Sequence, residues 1–189
     1  RLIDAAIAQM RKLPTYHMFF HRSNMPAIDL AEKMLSIAPV PMSKVWFANS
    51  GSEANDHMIK FVWYYNNGRG QPEKKKIIAR HEGYHGIAIS SGSLTGLPMM
   101  HKGFDLPIAN ILHTGSHNYY RHGRPGESEE QFSSRLAEEL EALILEEGPE
   151  TVAAFVAEPV MGAGGAIIPP RTYFEKIQTV LRKYDVLMV

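Results

Sequence analysis

Cysteine is absent from this chain, so disulfides and thiolate metal sites are both excluded. The lack fits a reducing compartment, and a cytoplasmic location is the expectation drawn from it. Net charge is also absent, since twenty basic residues balance twenty acidic ones. Nothing in that balance points to nucleic acid or a membrane surface as a partner. No apolar run approaches the ~20 residues that a membrane-spanning helix needs. The first residues, Arg1 to Ala6, lack an initiator Met and carry Asp4 early, without the long apolar core of a signal peptide. At the other end, Asp185-Val186-Leu187-Met188-Val189 reads as a strand without its turn. The chain is therefore read as an internal fragment, and its unfinished strand is expected to leave a sheet edge open to aggregation.

What is present is globular: 189 residues, 44% hydrophobic and 21% charged. Leu2, Ile3, Ala6, Ile7 and Met10 sit at helical spacing, and Pro14 closes that pattern. Tyr16 to His21 concentrates aromatics between Pro14 and Pro26, either as core filling or as a pocket wall. Leu30, Ala31, Met34 and Leu35 make a further short helical face. Val45-Trp46-Phe47-Ala48 reads as an apolar strand running through a Gly/Ser turn into a helix marked by Ala54, Met58, Phe61, Val62 and Tyr65. Lys74-Lys75-Lys76 reads as a solvated lead-in to the strand Ile77 to Arg80. Ala109 to His113 is a candidate strand, followed by an aperiodic loop from Thr114 to Gly126. Ser128 to Gln131 is a capping box for a helix closed by Gly148-Pro149. Val152 to Ala157 is an apolar strand, Phe174 to Tyr184 a helix, and Val186 to Val189 one more strand.

Apolar strands separated by helices predict an α/β fold, with a mostly parallel sheet flanked by helices. Residues 1–44 read as a helical and loop lead-in, and residues 45–189 as the body. Ligands in such sheets sit at the carboxyl ends of the strands. The loops after Ala48, Arg80 and Ala157 should therefore converge on one crevice.

Two chemistries compete there. His81-Glu82-Gly83-Tyr84-His85 matches H-E-x-x-H, which binds zinc and serves a hydrolase when a helix puts both imidazoles on one face. Here the motif follows a strand and is interrupted by Gly83, with Gly86 next, so a turn is the preferred reading. The other combination offers backbone donors at Gly51 and Ser52 for a phosphate, Tyr84 to stack on a flat ring, and Glu158 at a strand end. Each has a plain structural explanation as well, since Ser50 or Ser52 caps a helix and Glu158 pairs with a neighbour.

Three stretches, Asn49-Ser50-Gly51-Ser52-Glu53-Ala54-Asn55, Gly83-Tyr84-His85-Gly86 and Ala157-Glu158-Pro159-Val160-Met161-Gly162-Ala163-Gly164-Gly165, jointly resemble the class III aminotransferases. These are fold type I enzymes that depend on pyridoxal 5'-phosphate. The resemblance runs from end to end, and Lys44 to Ala48, Gln71 to Lys75 and Lys183 to Leu187 are similar to the omega-amino acid or amine:pyruvate branch. It implies that 45–189 is part of the cofactor-binding large domain. Gly51 and Ser52 would hold the phosphate, Ser50 would shape the turn, Tyr84 would lie on the pyridine ring with His85 beside it, and Glu158 would stand behind. Phe19 and Phe20 would line the substrate pocket, that of a partner subunit in a homodimer, with Tyr84 and Ala163 also facing substrate. Ala163 stands where relatives acting on 4-aminobutyrate or ornithine carry glutamate, and this favours the amine:pyruvate branch. Substrates would be a small amine donor and a keto acid such as pyruvate. The aspartate for the ring nitrogen and the Schiff-base lysine lie outside the chain. The fragment alone is therefore expected to be inactive, and a non-catalytic phosphate-binding remnant is the remaining alternative.

Overall fold

The computed structural model describes residues 1–189, which divide into two compact units, 1–47 and 48–189. In the first unit, α1 (Leu2–Lys12) and α2 (Met25–Ile37) are amphipathic helices with no fully buried residue. The Asn24 side chain accepts a hydrogen bond from the Ala27 N–H at 3.0 Å and starts α2, with Pro26 in its first turn. Val45 to Ala48 is irregular, not the expected strand. An apolar run becomes a strand only by pairing, and composition cannot supply the partner.

The second unit carries α3 (Gly51–Gly68), β1 (Lys76–Arg80), α4 (Ile89–Leu94), a 3-10 turn (Pro98–Met100), β2 (Ile111–Thr114) and α5 (Tyr119–His122). It continues with α6 (Glu129–Glu147), β3 (Val152–Phe155), α7 (Tyr173–Lys183) and β4 (Leu187–Met188). The strands form one sheet in the order β2-β1-β3-β4, with every neighbouring pair parallel. This is the α/β architecture expected from the sequence.

Alternation along β1 divides the core into two layers. Ile78, with Val152 and Phe155 of β3, packs under Phe132, Leu136, Leu140 and Ile144 of α6 and Ile177 and Leu181 of α7. Ile77 and Ala79 face the other side, with Ile59 and Val62 of α3, Leu94 of α4, and Ala153 and Ala154. Ala153 and Ala154 share a face because the β1–β3 register skips a residue: Lys76 opposes Val152, whereas Ile77 opposes Ala154.

Two short helices lie where the sequence shows no periodicity. In α4 the buried positions include Ser91, Gly92 and Ser93, held by hydrogen bonds instead of an apolar stripe. In α5 the Asn118 side chain caps four residues. The lysine run is not a solvated lead-in either. Lys74 is buried, and its Nζ donates to the carbonyls of Val152 at 3.1 Å, Tyr184 at 3.0 Å and Asp185 at 2.9 Å, with Pro149 at 3.3 Å. Lys76 pairs with Glu147 at 2.8 Å. No helix is long and apolar enough to cross a membrane.

Candidate active site

The site grows from the start of α3. Ser50 is the cap: its hydroxyl accepts from the Glu53 N–H at 3.2 Å, while the Glu53 carboxylate accepts from the Asn49 N–H at 2.7 Å and its side-chain amide at 3.1 Å. Those bonds hold the Glu53 carboxyl below its usual range. The Ala54 N–H goes to the Ser50 carbonyl. The N–H groups of Gly51 and Ser52 are left without an acceptor at the positive end of an 18-residue helix. A Cβ built on Gly51 would meet nothing within 4 Å, so the approach to these donors is open.

The loop after β1 lies against this helix start. Glu82 adopts a left-handed backbone (φ 66°), and residues 81–85 form a turn and irregular chain, so the helix that zinc ligation by His81 and His85 requires is not there. The Glu82 carboxylate is instead engaged by Ser116 at 2.7 Å, Asn118 at 3.3 Å and His122 at 3.3 Å. His81 stacks on His113 with ring centres 5.4 Å apart.

Further along the loop, the Ser52 hydroxyl accepts from the Ile87 N–H at 3.1 Å, and the Asn55 amide donates to the His85 carbonyl at 2.6 Å. Gly86, between them, has φ 131°, and a Cβ there would lie 2.5 Å from the Ser52 oxygen. Because that oxygen already accepts from Ile87, its own proton remains available to an external acceptor. Tyr84 is exposed and His85 is buried. The His85 Nε2 has no partner, and burial, opposed by the Glu158 charge and assisted by that of Arg80, pushes its pKa down so that the ring stays neutral near pH 7.

Glu158, just past β3, ties the third loop in. One carboxylate oxygen accepts from the Tyr84 N–H at 3.0 Å and the other from the Gly162 N–H at 2.9 Å. Its carbonyl accepts from Arg80 at 2.6 Å. Arg80 is wholly buried, with its guanidinium 5.7 Å from the ring centres of Tyr173 and Phe174 and its other terminal nitrogen on His117 Nδ1. An arginine can only donate, so His117 Nδ1 is the acceptor and Nε2 carries the proton given to the Ile167 carbonyl at 3.1 Å. Burial, followed by the Arg80 charge, lowers the His117 pKa to about 4.

Hydrogen bonds thus tie the helix start, through Ser52 and Asn55, to the loop bearing Tyr84 and His85, and that loop to Glu158, while Ser50 and Gly51 belong to the same helix start. Ala163 lies exposed in the glycine-rich loop that Glu158 holds. Phe19 and Phe20 belong to the 1–47 unit, where both rings are exposed and lie 5.5 Å apart. Sequence reasoning missed Asn55, Arg80 and His117. Asn55 could have been found from its place one turn beyond Ser52, and Arg80 from its place at the end of an apolar strand. His117 leaves no such signal.

The model of the class-III aminotransferase family matches residues 1–189. Among curated proteins, the chain is 60% identical over 190 residues to a probable gamma-aminobutyrate transaminase 2, mitochondrial, of Oryza sativa subsp. indica, covering 100% of this chain and 38% of that protein. It is 57% identical to a vanillin aminotransferase of Capsicum chinense, covering 100% of this chain and 41% of that protein. Among solved structures, the omega transaminase from Pseudomonas jessenii in complex with PMP superposes with a TM-score of 0.96 at 61% identity, over 99% of this chain and 41% of that one. The PMP-bound aminotransferase from Vibrio fluvialis gives a TM-score of 0.94 at 46% identity, over 99% of this chain and 41% of that one. The chain therefore spans about two fifths of the length of these relatives. The cytoplasmic expectation is overturned, because the rice and tomato relatives are named as mitochondrial proteins. A lack of cysteine constrains redox chemistry and carries no cellular address.

Proposed function

The chain belongs to the class-III aminotransferase family, and on that premise we propose that it forms the phosphate-holding part of a pyridoxal 5'-phosphate site. The parent enzyme moves an amino group from a small amine or omega-amino acid to a keto acid such as pyruvate. The observation that carries the reading is the pair of N–H donors at Gly51 and Ser52 that no acceptor in the chain engages, beside a Ser52 hydroxyl that accepts from Ile87 and has its own proton to donate. A phosphate monoester fits this arrangement, and Gly86 leaves room for the Ser52 oxygen.

When bound, the cofactor supplies the electron sink for transamination. The residues here bind and orient. Gly51 and Ser52 hold the phosphate, and Ser50 fixes the turn that presents them. Tyr84 offers an exposed ring to one face of the pyridine, and buried, neutral His85 keeps a positive charge away from that edge. Glu158 anchors the Tyr84 backbone to the glycine-rich loop, whose Ala163 faces substrate. Phe19 and Phe20 line a substrate pocket, that of the partner subunit in a homodimer. None of the chain's own lysines is assigned the covalent link to the cofactor, so no proton transfer at the substrate carbon is assigned to it.

Titrating the 189-residue chain with pyridoxamine phosphate, which cannot form adducts with surface lysines, tests the site. Saturable binding that shifts the Gly51 and Ser52 amide signals is expected, together with no turnover of an amine and pyruvate. The full-length parent is expected to transaminate that pair. Absence of binding by the chain and of transamination by the parent would overturn the proposal.

A further inference from the structure

We infer that Asn55 is a positioning residue that sets the separation between the phosphate seat and the loop bearing Tyr84 and His85. The role rests on the cofactor reading above. Ser52, Asn55 and Asp56 stand at i, i+3 and i+4 on α3, so the three side chains share one edge of the helix. Each grips a successive point of the facing chain. Asn55 donates to the His85 carbonyl at 2.6 Å, Ser52 accepts from Ile87 N–H at 3.1 Å, and Asp56 accepts from the Ser90 hydroxyl at 2.7 Å and the Ser91 N–H at 3.2 Å. Gly86 lies between the first two grips, with no room for a side chain.

This edge acts as a ruler. A pyridoxal-type ligand is a rigid ring with a short phosphate arm, so it is held at both ends only when the two protein elements keep a fixed offset. Ser52 serves the phosphate as well as the loop, and Asp56 grips the loop beyond the ring-facing residues. Asn55 is different, because its donor is committed to His85 and its only contribution is the offset. Its loss should therefore weaken a ligand that spans both ends and leave a bare anion at the helix start unaffected.

Amide NMR titrations of the 189-residue chain with pyridoxamine phosphate and, separately, with inorganic phosphate test this. Asn55→Ala is expected to bind pyridoxamine phosphate about tenfold more weakly while its affinity for inorganic phosphate stays within about twofold of wild type. Asn55→Leu, a neutral side chain of similar shape without the donor, should show the same selectivity even if the alanine variant folds poorly. Equal weakening of both ligands, or no weakening of either, overturns the role assigned to Asn55. If the wild-type chain binds inorganic phosphate at Gly51 and Ser52 but pyridoxamine phosphate no more tightly, the cofactor reading fails, and the role falls with it.

Discussion

At the scale of single residues, the site is made by groups whose neighbours remove alternatives. Gly86 combines a φ of 131° with a Cβ position 2.5 Å from the Ser52 oxygen and 2.8 Å from that of Ser91. Gly86→Ala should therefore cost about 2 kcal/mol of stability and displace Ser52, read as a lower urea midpoint and a weaker phosphate titration. Retention of both would show that the loop gives way easily. His113 and His117 make a pH prediction. Burial comes first for both, with His81 and His101 adding charge near His113 and Arg80 near His117, and each pKa falls to about 4 from an unfolded value of 6.5. Between those values the unfolded chain binds protons that the folded chain refuses. The contribution of these two rings to stability is therefore full above pH 6.5, declines as pH falls towards 4, and is lost below. Urea unfolding across that range should show a slope of about two protons from these two rings, with buried His85 adding to it in the same direction. Imidazole NMR signals from His117 that titrate with a midpoint above 6 would contradict the assignment.

At the scale of elements, stability rests on ends. The Ser128 hydroxyl accepts from the Gln131 N–H at 3.2 Å while the Gln131 side chain accepts from the Ser128 N–H at 2.8 Å, so α6 begins with a closed capping box. Ser128→Ala should lower stability by about 1 kcal/mol without changing phosphate binding, since α6 covers the far face of the sheet. Lys74 fastens the opposite end of the sheet from the proposed cofactor site. Its ammonium joins the chain before β1 to carbonyls beside β3 and β4, and burial lowers its pKa while Asp185 opposes that shift. Lys74→Met keeps the stem and leaves those carbonyls unpaired, so a loss of about 3 kcal/mol is expected in denaturant unfolding. An unchanged midpoint would mean that water replaces the ammonium. Of these elements, the capping box was legible from four adjacent residues. The lysine cage was not, because Lys74, Pro149, Val152, Tyr184 and Asp185 meet only through tertiary packing.

At the scale of the whole molecule, the sequence alone determined the alternation of helices and strands, the parallel sheet and the family. Each follows from information carried locally: apolar periodicity, turn residues, and three short motifs in fixed order. It also nominated Ser50, Gly51, Ser52, Tyr84 and Glu158, because helix starts and strand ends are recognisable where they occur, and added His85 through the family resemblance. Other features needed the tertiary structure. Val45 to Ala48 has a strand's composition and is irregular, whereas Ile89 to Leu94 lacks a helix's stripe and is helical. Pairing decides the first, and the second is held by hydrogen bonds from Ser90 and Ser91 to the Asp56 side chain, more than thirty positions away. The H-E-x-x-H match was resolved in the same way, since five letters do not specify a backbone, and Glu82 at φ 66° turns where zinc ligation would need a helix. The offset between the start of α3 and the loop bearing Tyr84 and His85 is likewise a property of packing alone. It joins Asn55 to His85 across thirty residues of sequence, and hydrogen-bond distances of that kind exist only once the sheet has brought its loops to one edge.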